Sequence, residues 1–575
     1  MAALSQTPDI TINGSPLTEV MLDNLVEVVV DVHLALPDAF TLRFSDSKLD
    51  VAENLRAHVG DAIVIKSGGL GDRPEKLLTK GEITGFDASL DVDGRYFVVR
   101  GYDKSHRLQG ARKVASWEDV TDSDIVRRIV SAAGLDVGVI TPTSTVHKHV
   151  VQMNVTDWDF IRARARANGF EAGVVDGKFN FGSASMSMPH EIEFGEELVE
   201  FRPRVSGAQL TTGVEVSSWD EQAKKRTEGK KMSAASEFVS LGESALAPKK
   251  LAGLLGAGEE KSARRVMRSQ AEADTAAQSL VDELSSSHAE AEGVVVGDAA
   301  LKAGTKVKIK GVGTSFAGEW RLTRAVHRFS PSGYFTQFEV AGTQDRSLLG
   351  LASGGGAPES TLAGGGSPVY GVMIGLVSDN SDPLTQGRVK VKLPWLADDY
   401  ASGWARVCFP GAGNERGFYN LPEVGDEVLV MFEQGDVNYP YVIGSLYNGK
   451  DKVPDDAVVD GGDGSVVTRT WTSAKKHKMF LSDKSGEEGI TITLDGDTHF
   501  FALKKQDDEV RVSSNGKTVV IGKKGIEITS DNGDVVIKGM NVKIEAQTGL
   551  ELKGTTAKLE GSAQTEIKGG MIKLN

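Results

Sequence analysis

From Val519 onward the chain repeats one short phrase: two apolar residues two positions apart, then turn residues, then the pair again. The pairs run Val519/Ile521, Ile526/Ile528, Val535/Ile537, Val542/Ile544, Leu550/Leu552, Ala557/Leu559, Thr565/Ile567 and Ile572/Leu574. Seven steps cover the 53 residues from Val519 to Ile572, a period of about 7.6, close to the roughly 8 that one short strand and one tight turn require. No helical repeat is that short. Each phrase offers about two apolar side chains, too few to offset the roughly 1–2 kcal/mol per residue lost on ordering the backbone. Stacking on identical chains supplies the missing burial, with the apolar pairs on a common axis and the intervening Lys, Glu and Thr in water. The expected trimer core is Val519, Ile521, Ile526, Ile528, Val535, Ile537, Val542, Ile544, Leu550, Leu552, Leu559 and Ile567. A single-chain sandwich would need longer strands and more aromatic filling.

A length of 575 residues and 40% hydrophobic content fit several domains with proper cores. The net charge of −15 argues against nucleic acid or anionic lipid as the main partner. Cys408 is the only cysteine, which excludes an intrachain disulfide and a cysteine zinc site. The first 30 residues have no basic segment before an apolar core, and no run of 18 apolar residues occurs. Export by a signal peptide is not expected.

Residues 1–105 alternate apolar and polar positions between turn signals and read as antiparallel strands. Two helices are expected next. In DVTDSDIVRRIVSAAG, Thr121 or Asp122 is the N-cap and Gly134 the stop; in TDWDFIRARARANGF, Thr156 and Gly169 take those roles. Residues 221–290, rich in Ala, Glu, Lys and Ser, read as a helical excursion with a thin apolar stripe. Strands resume at GTKVKIKGVG, and the first body closes near residue 350. Residues 351–368, LASGGGAPESTLAGGGSP, are a linker. Residues 369–449 read as a small β-barrel of the OB type, 450–464 as an acidic Gly-rich joint and 465–575 as the needle.

Chemistry-bearing motifs are sparse. GVGTSFAG at 311–318 and GLLGAG at 253–258 lack the spacing of nucleotide loops and read as turns. His147 and His149 share one face of a strand without an evident third metal ligand. DVDG at 91–94 and DGDT at 495–498 lack the rest of a calcium loop and read as hairpin turns. Cys408, inside ARVCFP, reads as a buried structural thiol. No carboxylate pair stands out, no cofactor is expected, and the chain reads as a non-enzyme.

Several phrases resemble a known family. GYDKSHRL at 101–108, TDSDIVRRIV at 121–130, QMNVTDWDFIRARARANGF at 152–170 and HRFSPSGYFTQFEV at 327–340 are similar to the hub half of VgrG-type spike proteins of contractile injection systems. GRVKVKLPWL at 387–396, WARVCFPGAGNERGFYNLPEVGDEVLVMFEQGD at 404–436 and PYVIGSLYNG at 440–449 resemble their OB module. The resemblance implies a mainly β fold with minor α: a phage-tail-hub-like β-barrel base (1–350), an OB-fold collar and an intertwined triple-stranded β-helix, or prism. It implies a homotrimeric, non-catalytic spike that caps the inner tube and punctures the target envelope, without a transmembrane segment, when a sheath contracts. The protein would be cytoplasmic during assembly and then part of a phage tail-like particle, a type VI apparatus or an extracellular particle.

Inner tube and baseplate proteins are the implied partners at the base, with effector cargo carried by partners and no nucleic acid. Some similar spikes carry a lysozyme domain between barrel and needle; here only about 15–20 residues separate Asn448 from Val466, too few for a domain. Others close on an iron ion held by His-x-His, whereas the last histidine here is His499. Met571, Ile572, Leu574 and Asn575 are therefore expected to dock a separate PAAR-repeat cap, and no fused toxin is expected. The alternatives are a trimeric tailspike-like adhesin or polysaccharide depolymerase, and an OB-type nucleic-acid binder, which the acidic balance disfavours.

Overall fold

Alternation dictates the largest sheet: in strand Leu25–His33 the residues Val28, Val30 and Val32 are buried, and in Ala39–Ser45 so are Phe40, Leu42 and Phe44. The computed structural model describes residues 7–69, 75–92, 94–184, 188–208, 210–234, 238–263, 266–342, 368–397, 400–454, 459, 462–494 and 498–574. It divides into two units, Met1–Asn448 and Gly449–Asn575. The fold is mainly β with few helices. The linker 351–368 lies, but for Pro368, outside the described residues, as do parts of the 450–464 joint.

In the first unit an 11-stranded sheet is ordered 198–205, 289–296, 333–340, 324–330, 25–33, 39–45, 94–103, 77–91, 62–66, 9–12 and 15–16. Strand Arg324–Ser330 pairs with Leu25–His33, His327 opposite Val30, so the late strands complete the early sheet. Arg324 fixes that closure, its Nε donating to Asp31 Oδ1 at 2.8 Å and its Nη1 to Glu339 Oε1 at 2.7 Å.

The segment 113–182 builds its own core. A ribbon of Lys113–Thr121 and Val146–Val155 carries helices α1 (Asp122–Ala132) and α2 (Asp157–Ala167) beside a small sheet. Thr121 Oγ1 accepts from the Asp124 N–H and Thr156 Oγ1 from the Asp159 N–H, each cap satisfying a donor the helix cannot. Ile125, Val126, Trp158, Phe160 and Ile161 then pack in one cluster.

The expected helical excursion over 221–290 is corrected. That stretch holds strands Lys225–Lys231, Val239–Leu241 and Glu259–Ser262, a short helix Pro248–Leu254, and one long helix, α3 (Gln270–Ser286), capped by Ser269. Its thin stripe is neither exposed nor insufficient: Ala273, Ala276, Ala277, Leu280 and Val281 pack against Val214, Val216 and Met267. Gly229 makes the close approach workable, since a Cβ there would lie 2.0 Å from the Ala273 carbonyl oxygen. The strand escaped notice because KRTEGKK shows only Thr227 and Gly229 to the helix.

Five strands, Met373–Asp379, Arg388–Lys392, Ala405–Val407, Pro440–Ser445 and Glu427–Phe432, close into a barrel around Val377, Val389, Val391, Leu393, Val428, Val430 and Val442. Val151 of the ribbon joins that core, and its N–H donates to Asn438 Oδ1 at 2.9 Å. Cys408 departs from the reading as a buried thiol: it follows the short strand Ala405–Val407 and is exposed.

The second unit is a seven-stranded antiparallel meander: β1 (Thr468–Thr472), β2 (Lys478–Ser482), β3 (Gly489–Thr493), β4 (His499–Lys504), β5 (Glu509–Ser514), β6 (Lys517–Gly522) and β7 (Gly525–Ser530). From Asp531 to Leu574 no strand ladder forms within the chain. A two-residue turn, Lys523-Lys524, sets Val519 opposite Ile528 and Ile521 opposite Ile526, as hairpin partners rather than successive rungs of one winding strand. An intertwined triple-stranded helix is not seen in this single chain.

Candidate assembly surface

The register of the meander builds two apolar rows on one face of its sheet. Following Cα partners, the first row runs Trp471, Met479, Ile492, Phe501, Val512, Val519, Ile528, and the second Leu481, Ile490, Leu503, Val510, Ile521, Ile526. Strand alternation puts both rows on the same side, because their members are two residues apart on each of β2–β7. Cross-strand apolar neighbours stabilise a ladder by about 0.2–1 kcal/mol each. The chain leaves that ladder uncovered: among the described residues of this unit only Ala502 and Thr493 are buried.

Beyond β7 the pattern continues without a sheet. Val535, Ile537, Val542, Ile544, Leu550, Leu552, Leu559 and Ile567 are all exposed, Leu552 at 80%. Met571 and Ile572 are exposed and Leu574 is 90% so; Asn575 lies outside the described residues. Lys543 pairs with Glu545, Lys558 with Glu560 and Lys568 with Glu566, all in solvent, where such pairs contribute little. The sequence reading placed strict periodicity only after Val519; the two rows from Trp471 to Val512 were missed because their turns are longer and irregular. The alternation WTS, KMFLS, GITIT, FFALK and VRVSS was the available signal.

His147 and His149 do lie on one strand, but the structure gives each other work. His147 Nε2 sits 2.8 Å from Arg164 Nη2 and 3.1 Å from Asp122 Oδ2, and His149 Nε2 donates to the Ala401 carbonyl at 3.0 Å. Arg164 Nη2 donates to Asp122 Oδ2 at 2.9 Å, and Asn168 Nδ2 to the same oxygen at 2.7 Å. Burial opposes ionisation of Asp122, but the Arg164 charge and these hydrogen bonds prevail and hold its carboxyl well below the usual range. The cluster ties the start of α1 to α2. No group of three or more His, Cys, Asp or Glu side chains suited to a metal occurs among the described residues. GVGTSFAG is bend and turn up to the start of strand Gly318–Arg321, GLLGAG runs from the last residues of helix Pro248–Leu254 into the turn after it, and Asp91 pairs with Gly94 across a hairpin; Asp93 of DVDG and most of DGDT are outside the described residues. No described helix is long and apolar enough to cross a membrane.

Known proteins place this architecture. The family model described as the Alg8 N-terminal domain matches residues 7–330, more than half of the chain. The chain belongs to the Alg8 N-terminal domain family. Residues 373–447 match the type VI secretion system/phage-baseplate injector OB domain, the region of the closed barrel. A curated relative, type VI secretion system spike protein VgrG1a of Pseudomonas aeruginosa, is 26% identical over 186 residues, which is 30% of this chain and 28% of the relative. Actin cross-linking toxin VgrG1 of Vibrio cholerae is 26% identical over 188 residues, 31% of this chain and 17% of that protein. The chain thus spans less than a third of the length of these curated relatives. Among solved structures, the lidless PdpA-VgrG complex is similar with a TM-score of 0.51 at 8% identity, covering 92% of this chain and 99% of that one. The resemblance to VgrG-type spikes read from the hub and barrel phrases stands, and the shared fold spans nearly the whole chain.

Proposed function

We propose that this chain is a structural, non-catalytic spike subunit of a contractile injection machine, working as a homotrimer whose C-terminal unit is an intertwined needle. The observation that carries this reading is the uncovered apolar ladder of β1–β7 together with the exposed pairs from Val535 to Leu574. Soluble monomers do not leave so long a contiguous apolar seam in water. Three copies around one axis bury it and supply hydrogen-bond neighbours to residues 531–574, which have none in strand form within one chain. The match of 373–447 to the injector OB domain and the VgrG-named relatives support the same role.

In this reading the base binds inner tube and baseplate proteins, the Met571–Leu574 end takes a PAAR-repeat cap, and contraction drives the needle through an envelope. The chain assembles in the cytoplasm and leaves it as part of the particle. Light scattering on the full-length chain tests the core of the proposal, beside a variant ending near Gly464. A full-length trimer that weakens or dissociates on truncation is expected, and a full-length monomer would overturn the reading.

A further inference from the structure

The tail carries a second period hidden inside the first. Lys543, Lys558 and Lys573 are fifteen residues apart, as are Glu545 and Glu560, Glu551 and Glu566, and Lys538, Lys553 and Lys568. Each fifteen-residue unit therefore holds two phrases of opposite charge order: Val-Lys-Ile-Glu at 542–545, Leu-Glu-Leu-Lys at 550–553, Ala-Lys-Leu-Glu at 557–560, Thr-Glu-Ile-Lys at 565–568. The apolar positions keep one orientation throughout while the charges invert at every step.

Local pairing does not require that inversion. In three of the four phrases the lysine already meets its own glutamate, as in Lys543 Nζ to Glu545 Oε1 at 2.5 Å, and a uniform Lys-Glu order would keep those contacts. Solubility is equally indifferent to order. The inversion has a consequence only for a strand whose neighbours are the preceding and following phrases.

Three-fold winding supplies those neighbours. If each chain advances one face of a three-sided prism per phrase, symmetry stacks phrase n of one chain beneath phrase n+1 of another, and all strands on a face run the same way. The aligned partners are then Lys543 with Glu551, Glu545 with Lys553, Glu551 with Lys558 and Lys553 with Glu560, each across a chain boundary. Opposite charges directly across a ladder stabilise it and like charges destabilise it. We infer that the Lys/Glu inversion is a register code between chains: the occupant of this seam is a second copy of the same chain displaced by one phrase, and a slip by one further phrase sets like charges together. The inference rests on the trimeric needle proposed above.

The single-phrase test conserves composition. The full-length variant E551K/K553E inverts one phrase, keeps its charge content and turns the four neighbouring contacts repulsive. A variant that inverts every phrase from 535 to 574 (K538E/K543E/E545K/E551K/K553E/K558E/E560K/E566K/K568E/K573E) restores the alternation. For the single inversion, the trimer's melting point in low salt is expected to fall by about 5 °C or more, with most of the loss recovered in 1 M NaCl. The full inversion is expected to melt like the wild type. Equal melting of the single inversion and the wild type, or no recovery in a trimeric full inversion, overturns the code while leaving the trimer standing. A monomeric wild-type chain overturns both.

Discussion

Two regions of this molecule are written in the same alternating grammar and meet opposite fates. Val28, Val30 and Val32 in the base lie almost wholly inside their sheet, whereas Ile526, 71% exposed, and Ile528 stand open on theirs. The difference is not hydrophobicity but who provides the other layer. In the base, distant segments of the same chain return to bury that face, Ala299, Phe329 and Tyr334 joining the cluster of Val28, Val30 and Val32. In the C-terminal unit the described residues form one meander that leaves its apolar face exposed, and in the proposed trimer the covering layer comes from another copy. Alternation alone thus tells which side of a strand wants company and nothing about whose company it will be.

That contrast predicts where substitutions act. Arg164→Ala strands the buried Asp122 carboxylate and should cost the first unit about 3–5 kcal/mol in denaturant unfolding. Trp320→Ala, at a fully buried site, should cost a similar amount, about 3–5 kcal/mol. Both should leave the C-terminal seam intact, so a trimer that dissociates before the first unit unfolds would blur the contrast.

Acid should act on the base as well. Burial lowers His327 to a pKa of about 4 from an ordinary 6.5. Between those values the unfolded chain binds the proton and the folded one does not, so stability present above about pH 6.5 drains away as pH falls towards 4. The loss amounts to about 3 kcal/mol. Asp38, held above its ordinary range by burial first and Asp103 second, contributes a slope of opposite sign in the acid range. The readout is therefore the difference between wild type and His327→Gln, expected to shrink as pH falls from 7 to 4.

Gly229→Ala should push α3 off its sheet at a cost of about 1–3 kcal/mol. Thr156→Ala removes the cap of α2 for about 1 kcal/mol, seen as a small shift of the same unfolding midpoint. Smallest of all is Leu552→Ala: within about 0.5 kcal/mol for the first unit, yet a lower melting point for the trimer.

How legible was this from residues alone? The caps Thr121 and Thr156 and the inward set Val389, Val391 and Leu393 could be read because each is decided within a few positions. Strand Lys225–Lys231 could not, since its buried members are Thr227 and Gly229 and their reason is a helix more than forty residues away. Cys408 misled for the converse reason: an apolar neighbourhood in sequence ends, after Val407, at a loop in solvent. In the needle the apolar pairs were plain, but the hairpin relation of Val519/Ile521 to Ile526/Ile528 hung on a two-residue turn. The fifteen-residue charge inversion was hidden beneath the stronger apolar rhythm.

The pairing of 324–330 with 25–33 also sets a schedule. Asp31 and Arg324 are 293 residues apart, so a ribosome that has just released the first hairpins has yet to make the strand that shields their edge. Until it does, the nascent chain carries an open β-edge beside Val29 and Asp31, a template for pairing with the wrong molecule. Closing so long a loop is slow compared with forming local helices such as α1 and α2. A truncated or stalled product that stops short of Arg324 would therefore leave that edge unpaired, and the chance of clean folding is decided late in synthesis, by a strand that carries no chemistry at all.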